Sequence, residues 1–510
     1  MASVNAGATP DMQLKAKIFE IEQGQNEVVL NDERARALGL NMSDRVLLKL
    51  RGRKAVAIVD TSRDFIREDE IGLFEEVALA LGAGRGELIS VDPIARPNSL
   101  DFIRKKLDGK ALSDAEISAV IDDLMHETLS PTELAAFIAG IYCNGMTTEE
   151  TAGLTNAICN SGEVLSFGDE IVVSSHSIGG VAGDRVSLLI VPIVASLGIK
   201  IPKTASRAIS SASGTADAME VLTKVSLSIE KIQAVVRKTN GCLVWGGSVR
   251  LASADDKLIR IRNPLRLDPK PLLLSSILAK KKAEGARYVI IDIPVGRGSK
   301  IDRLDEGRAL AREFEGLGTH LGMKVKCILS DGSSPLTNNI GPALEAKDAL
   351  ETLEERRQNM LMEKSCLMAG IILQMVRGVS REEGYRLAMQ QVMSGKALEK
   401  LQEIIVEQGG RQIKSSEIKT GRLRAAYKAE VSGKVSHVDN KAISRVCRML
   451  GAPSEKQAGI ILKASKGQHI EKGQEIIELV TNSQDKLDYA LRQLKTINIF
   501  EVENIILDVV

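Results

Sequence analysis

Aromatic residues are scarce in this chain: 3% of 510 residues, with a single tryptophan. Single-stranded nucleic acids are held on stacking platforms of such side chains, so a platform of that kind is not expected. Charge of one sign is lacking as well. Lys and Arg together number 68 against 67 Asp and Glu, a formal net charge of +1. No global field draws in a polynucleotide backbone or an anionic membrane. The six cysteines, Cys143, Cys159, Cys242, Cys327, Cys366 and Cys447, contain no CxxC pair. Zinc-ligand spacing is therefore absent, and buried free thiols in a reducing cytosol are expected. Met1 to Gln13 shows no basic segment leading into an apolar run, so no secretory signal is expected. The most apolar stretch, Val186 to Ile201, is broken by Pro192 and Lys200 and is too short to span a bilayer. These absences point to a cytoplasmic protein with neither a nucleic acid polymer nor a membrane as partner.

What is present is enough apolar material, 44% of residues, to build several cores. The expected fold class is multidomain α/β, with boundaries read from shifts in pattern. A small N-terminal β-barrel is expected over 1–92, and a helical subdomain over 93–168 joined by a later segment at about 253–285. A large, mainly parallel α/β domain should cover 169–425, and a C-terminal α/β module 426–510. In the first region the apolar runs Val46–Leu50 and Ala55–Val59 flank the turn Arg51-Gly52-Arg53-Lys54, a hairpin signal. Asn31 begins a helical patch that stops at Gly39. In the second, Ser113 with Glu116, Ser130 with Glu133 and Thr147 with Glu150 have capping-box spacing, and Pro131 falls at a first helical position. Beyond Ile171, buried strands alternate with helices, the pattern of a helix-covered parallel sheet.

Three loops in that sheet suit an anion. Ser175 to Ser187 is rich in glycine and runs from a strand into an apolar helix, whose free N–H groups favour negative charge. No GK[ST] follows, so it is not a P-loop. Thr204 to Asp217 crowds hydroxyls around Arg207. Ile293 to Lys300 places two glycines, Arg297 and Lys300 after a buried strand, where ligands of open α/β sheets bind. Each loop has a plain alternative, a solvated or capped turn without ligand. Their coincidence on one sheet is harder to explain by structure alone.

Several blocks resemble the thymidine phosphorylase superfamily, which also includes pyrimidine-nucleoside phosphorylases and AMP phosphorylases. They are His176-Ser177-Ile178-Gly179-Gly180, the signature loop from Ser206-Arg207 to Thr215-Ala216-Asp217-Ala218-Met219-Glu220, and Ser275-Ser276-Ile277-Leu278-Ala279-Lys280-Lys281. The segment from Ala135 through Glu150 also fits, and the extra N-terminal barrel is similar to the long form typical of AMP phosphorylases and of related bacterial proteins named as thymidine phosphorylases. The resemblance implies phosphate binding by His176, Ser177, Gly179, Gly180, Ser187 and Thr215. It implies that the substrate is held by Gly180, by the loop Ser206, Arg207, Ala208, Ile209, Ser210 and Ser211, and by Thr215, Ser276 and Lys300. Arg262, Ser276 and Lys280 match the base-binding set of the pyrimidine enzymes. Asp268 matches the proton donor to the leaving base in the AMP branch, its plain alternative being a turn or helix-cap residue. His176 either orients substrate or caps its own loop. One departure stands out: the family usually carries Lys before the His, and this chain has Ser175. Arg185, Arg207 and Lys300 are candidates to compensate.

The implied reaction is phosphorolysis of an N-glycosidic bond, without metal or organic cofactor, by a homodimer or larger homo-oligomer. A nucleoside 5′-monophosphate such as AMP is the expected substrate, because a Lys at position 300 left unpaired in a closed site is costly and calls for an anionic partner. The alternatives are thymidine phosphorylase, a magnesium-dependent phosphoribosyltransferase and a non-catalytic nucleotide-binding regulator.

Overall fold

The computed structural model describes residues 12–208 and 211–503. The chain divides into two compact units, Met1–Ser161 with Ser253–Ser276, and Gly162–Ala252 with Ile277–Val510.

The first unit opens with strands β1 (Gln13–Ile18), β2 (Glu27–Asn31), β3 (Arg45–Leu50), β4 (Arg53–Ser62), β5 (Glu70–Leu73) and β6 (Leu88–Ile94). They close into a barrel in the order β1-β5-β2-β4-β3-β6, with short helices α1 (Asp32–Ala37) and α2 (Glu75–Leu81). The hairpin between β3 and β4 turns on Arg51 and Gly52, both at positive φ (49° and 80°), which matches the right-handed strand twist. Alternation along the two strands sends Val46, Leu48, Ala57 and Val59 inward, all fully buried. Asn31 caps α1 through its side chain.

Helices α3 (Ser99–Leu107), α4 (Asp114–Met125), α5 (Pro131–Asn144) and α6 (Thr148–Asn160) follow. All three expected capping boxes form, and Pro131 opens α5. Glu133 also has a tertiary role. Besides capping α5 it pairs with Arg45 of the barrel, which is buried and donates to the Thr128 carbonyl at 2.7 Å.

The second unit contributes β7 (Val173–Ser177), α7 (Ser187–Ser196), β8 (Ile201–Ala205), α8 (Thr215–Glu220), α9 (Ile229–Thr239) and β9 (Gly241–Trp245). Helix α10 (Ser253–Leu265) returns to the first unit and packs on α4, α5 and α6. The unit boundary falls within α11 (Lys270–Ala283), after Ser276. Then come β10 (Tyr288–Val295), α12 (Leu304–His320), β11 (Lys324–Asp331), β12 (Asn339–Ile340), α13 (Pro342–Glu354) and α14 (Met360–Arg377).

Strands β11, β10 and β7 form a parallel sheet, and β8 pairs in parallel with β9. A single parallel bridge, Val172 with Lys200, links β7 to β8 at their start, above which the two strands are no longer paired. Helix α7, from Leu188 to Ala195, is buried on every side beneath α14, which accounts for its all-apolar sequence. No helix among the described residues is long and apolar enough to cross a membrane. Residues 423–503 add two antiparallel sheets, one of which takes in β12.

Candidate active site

The carboxyl end of β7 presents Ser175, His176 and Ser177, and the chain then turns through Gly179 and Gly180 at φ 84° and 99° into α7, whose first residue is Ser187. Left-handed φ is the first reason for glycine here. Close approach is the second: a Cβ on Gly180 would lie 3.1 Å from the backbone nitrogen of Lys300, so the first and third loops touch. The Ser177 hydroxyl donates to Asp292 on β10 at 2.9 Å. Asp292 also accepts from Lys364 of α14 at 2.7 Å and from Ser330 at 2.6 Å, and Lys364 reaches Asp184 at 2.8 Å. Burial raises the Asp292 pKa above the usual carboxylate range, against the pull of Lys364.

His176 is half-buried. Burial, together with the charges of Lys203, Lys281, Lys300 and Lys280, drives its pKa well below the usual histidine value. The imidazole is therefore neutral and offers one donor and one acceptor nitrogen. Of these four lysines, sequence motifs singled out Lys280 and Lys300. Lys203 on β8 lay in no motif, and Lys281 on α11 closed a matching block without being given a role. Both are buried, and both lie by Glu284, a fully buried carboxylate. Lys281 donates to Glu284 at 2.6 Å, as do the Ser174 hydroxyl at 2.5 Å and the Thr204 amide at 3.0 Å. Lys203 donates to the carbonyl of Ser175 at 2.6 Å.

The signature loop is organised by Asp217, another residue given no role from sequence. Its Oδ2 accepts from the amides of Ala208 at 2.8 Å and Gly214 at 3.0 Å, clamping the two ends of the loop together. Gly214 is required there, since a Cβ would lie 2.5 Å from the Ser206 carbonyl oxygen. Ser206, Ala208 and Ser211 line this clamped loop and Thr215 opens α8; Ile209 and Ser210 lie outside the described residues.

Three cations that the sequence offered for anion binding are already engaged. Arg207 forms two 2.5 Å bonds to Glu220 and lies 4.7 Å from the Trp245 ring centroid. The guanidinium in turn holds the Glu220 pKa down to about 2. Arg207 thus braces the signature loop. Arg185 binds Glu345 at 2.5 Å, the Asp184 carbonyl at 2.6 Å and the Ser213 carbonyl. Arg297 is exposed and pairs with Glu501 at 2.6 Å. Lys300 differs: it has no ion pair among the described residues, yet it is exposed. Water solvates it here, and the expectation of an anionic partner concerns the site closed around its ligand.

In the first unit, Arg262 donates to Asp268 at 2.6 Å; Asp268 is half exposed, just ahead of α11. Ser276 on α11 donates its hydroxyl to Asp255 at 2.7 Å, and both side chains are buried. Lys280 follows one helical turn later, on the second unit's side of the boundary. No group of three or more His, Cys, Asp or Glu that could hold a metal occurs among the described residues.

Comparison with known proteins bears directly on this arrangement. Residues 100–162 match the glycosyl transferase family helical bundle domain, 169–398 its a/b domain, and 434–500 the pyrimidine nucleoside phosphorylase C-terminal domain. A protein named AMP phosphorylase from Methanosarcina mazei is 43% identical over 97% of this chain and 98% of its own length. Another of that name from Methanocaldococcus jannaschii is 40% identical over the same shares. The chain belongs to the thymidine phosphorylase–AMP phosphorylase superfamily. It is accordingly an enzyme of the pentosyltransferase class. Anthranilate phosphoribosyltransferase from Thermus thermophilus shares the fold, with a TM-score of 0.53 and 18% identity over 60% of this chain and 99% of that one.

Within this superfamily the helical-bundle match ends at residue 162, next to the unit boundary after Ser161, and the a/b match lies wholly in the region of the parallel sheet. The similarity to the two AMP phosphorylases reaches across nearly the whole chain, so it takes in the N-terminal barrel that neither glycosyl transferase match covers.

Proposed function

We propose that the protein is an AMP phosphorylase: it cleaves the N-glycosidic bond of a nucleoside 5′-monophosphate with inorganic phosphate, giving the free base and a sugar 1-phosphate. The observation that carries this reading is the 40% or greater identity to AMP phosphorylases over nearly the full length of both chains. The site chemistry supports it. The charges of four lysines act on a neutral His176 beside a glycine-rich turn and a helix N-terminus, a setting for anions.

In this reading phosphate is held by His176, Ser177, Gly179, Gly180, Ser187 and Thr215. One of its oxygens attacks the anomeric carbon as the bond to the base nitrogen breaks. The base departs with the bond's electron pair and takes a proton from Asp268, while Arg262, Ser276 and Lys280 hold it. Catalysis then rests on positioning and charge stabilisation, with no metal or organic cofactor. Lys300 meets the 5′-phosphate. A cytoplasmic homo-oligomer completes the proposal.

The test is base release from AMP, CMP, UMP, thymidine and uridine, with and without phosphate. AMP should be cleaved only with phosphate and yield a sugar 1-phosphate. Cleavage of thymidine alone, or equal release in phosphate-free buffer, overturns the reading. Asp268→Asn should lower kcat roughly a hundred- to ten-thousandfold while substrate binding is largely kept. Lys300→Ala should weaken use of AMP by about ten- to a hundredfold, measured as kcat/KM.

A further inference from the structure

We infer that Lys203 is the cation of the inorganic-phosphate subsite, supplied from β8 in place of the lysine that Ser175 replaces on β7. The inference rests on the phosphorylase reading and names a phosphate-binding residue for it.

Register is the first argument. The bridge between Val172 and Lys200 sets β7 and β8 in parallel, and three residues further along each strand Ser175 stands level with Lys203. The ladder does not continue that far. Instead the Lys203 ammonium bonds the Ser175 carbonyl at 2.6 Å. A positive charge therefore arrives at the level of position 175, but from the neighbouring strand. The Ser175 hydroxyl itself is buried and has no hydrogen-bond partner among the described residues.

Charge balance is the second. Lys203 and Lys281 are 5% and 2% exposed and face one carboxylate, Glu284. Glu284 already accepts from Lys281, Ser174 and Thr204. Buried charges are stable when paired, and here two ammonium groups meet a single carboxylate. An arriving anion evens the count. Burial and Lys281 together hold the Lys203 pKa well below the usual lysine value, as expected of an ammonium short of counter-charge.

Position is the third. Lys203 bonds the carbonyl of Ser175, the residue before His176 at the head of the glycine-rich turn, and its charge helps hold the His176 pKa down. The other cations considered for compensation are tied elsewhere, Arg185 to Glu345 and Arg207 to Glu220, or are exposed, as Lys300 is.

The test uses the full-length protein and inorganic phosphate, titrated by calorimetry and varied in steady-state assays at saturating nucleotide. Lys203→Met should raise both Kd and KM for phosphate about ten- to a hundredfold, with a much smaller change in nucleotide KM. Ser175→Lys placed in that background should bring phosphate affinity back to within about threefold of wild type. A lysine with a purely structural role would lower the melting temperature without this selective loss, and Ser175→Lys would not restore it. If Lys203→Met fails to fold, the double variant carries the test, since it keeps one cation at that level. Phosphate affinity changed less than twofold in folded Lys203→Met overturns the inference. So does a folded double variant whose phosphate affinity stays ten or more times weaker than wild type. Phosphate bound calorimetrically by a wild type that releases no base would instead strike at the proposed reaction and leave this inference standing.

Discussion

Strand β7 lies between two buried charge clusters of opposite sign. Ser177 reaches Asp292, and Ser174 reaches Glu284; three residues apart on a strand, they point to opposite faces. On the Asp292 side one ammonium, Lys364, serves two carboxylates. On the Glu284 side one carboxylate serves two ammonium groups, Lys203 and Lys281. The negative excess is met internally. Hydroxyls of Ser177 and Ser330 donate to Asp292, and its raised pKa favours uptake of a proton. The positive excess has fewer remedies, chiefly the Ser175 carbonyl. The comparison teaches that buried charge is not of one kind. One cluster holds Ser177 in place, while the other has the sign that suits an anion.

The comparison breaks most sharply if Glu284 loses its charge. Glu284→Gln leaves Lys203 and Lys281 without a counter-ion, and removing one partner of a buried pair costs about 3–5 kcal/mol, to be read from urea unfolding. Its pH dependence has a definite sign. Lys203 has a folded pKa below its unfolded one, so the native state binds fewer protons and gains stability as pH rises. The deficit should therefore shrink as pH rises toward the ordinary lysine range. A deficit flat in pH would show that the unpaired ammonium groups do not cause it.

Lys364→Met tests the other face with the opposite slope. Loss of the ammonium leaves Asp184 and Asp292 facing each other at a cost of about 3 kcal/mol. Asp292 has a folded pKa above its unfolded one, so the native state binds more protons and loses stability as pH rises. This deficit should shrink as pH falls toward the ordinary carboxylate range, followed by thermal melts. Parallel slopes for the two variants would end the distinction between the clusters.

The smallest effect belongs to a pair outside both clusters. Arg207 and Glu220 have side chains 32% exposed, so Arg207→Gln should cost only about 0.2–1 kcal/mol. Glu220 has its pKa depressed to about 2, so the pair's contribution is full above the unfolded carboxylate value and is lost only as pH falls toward 2. Between about pH 5 and 9 the variant's deficit should be constant in the same melts.

Features that act over a few residues were legible from the chain. Ser113, Ser130 and Thr147 cap their helices because a hydroxyl and a carboxylate three positions apart meet the same backbone N–H groups. The β3–β4 turn, the strand at Tyr288 and the glycine turn after His176 could be read for the same reason. Lys203 could not. In Ile201-Pro202-Lys203-Thr204-Ala205 no motif marks it, and its bond to the Ser175 carbonyl depends on how β7 and β8 lie in the fold. Asp217 looked like one more polar residue at the end of the signature loop. Its clamp on Ala208 and Gly214 depends on how that loop closes.

By itself the sequence determined the alternation of strands and helices, several of the places where loops must turn and the superfamily, because caps, alternation, glycines and motifs all work within short stretches of chain. Only the tertiary structure decided which cations stay available to a ligand. Arg185 is neutralised by Glu345, 160 positions away, and Arg297 by Glu501, 204 positions away, while Lys203 and Lys281 are left to share Glu284. The reason is the short range of an ion pair. A side chain's charge is committed by whichever partner the fold brings within about 3 Å, and separation along the chain carries no record of that.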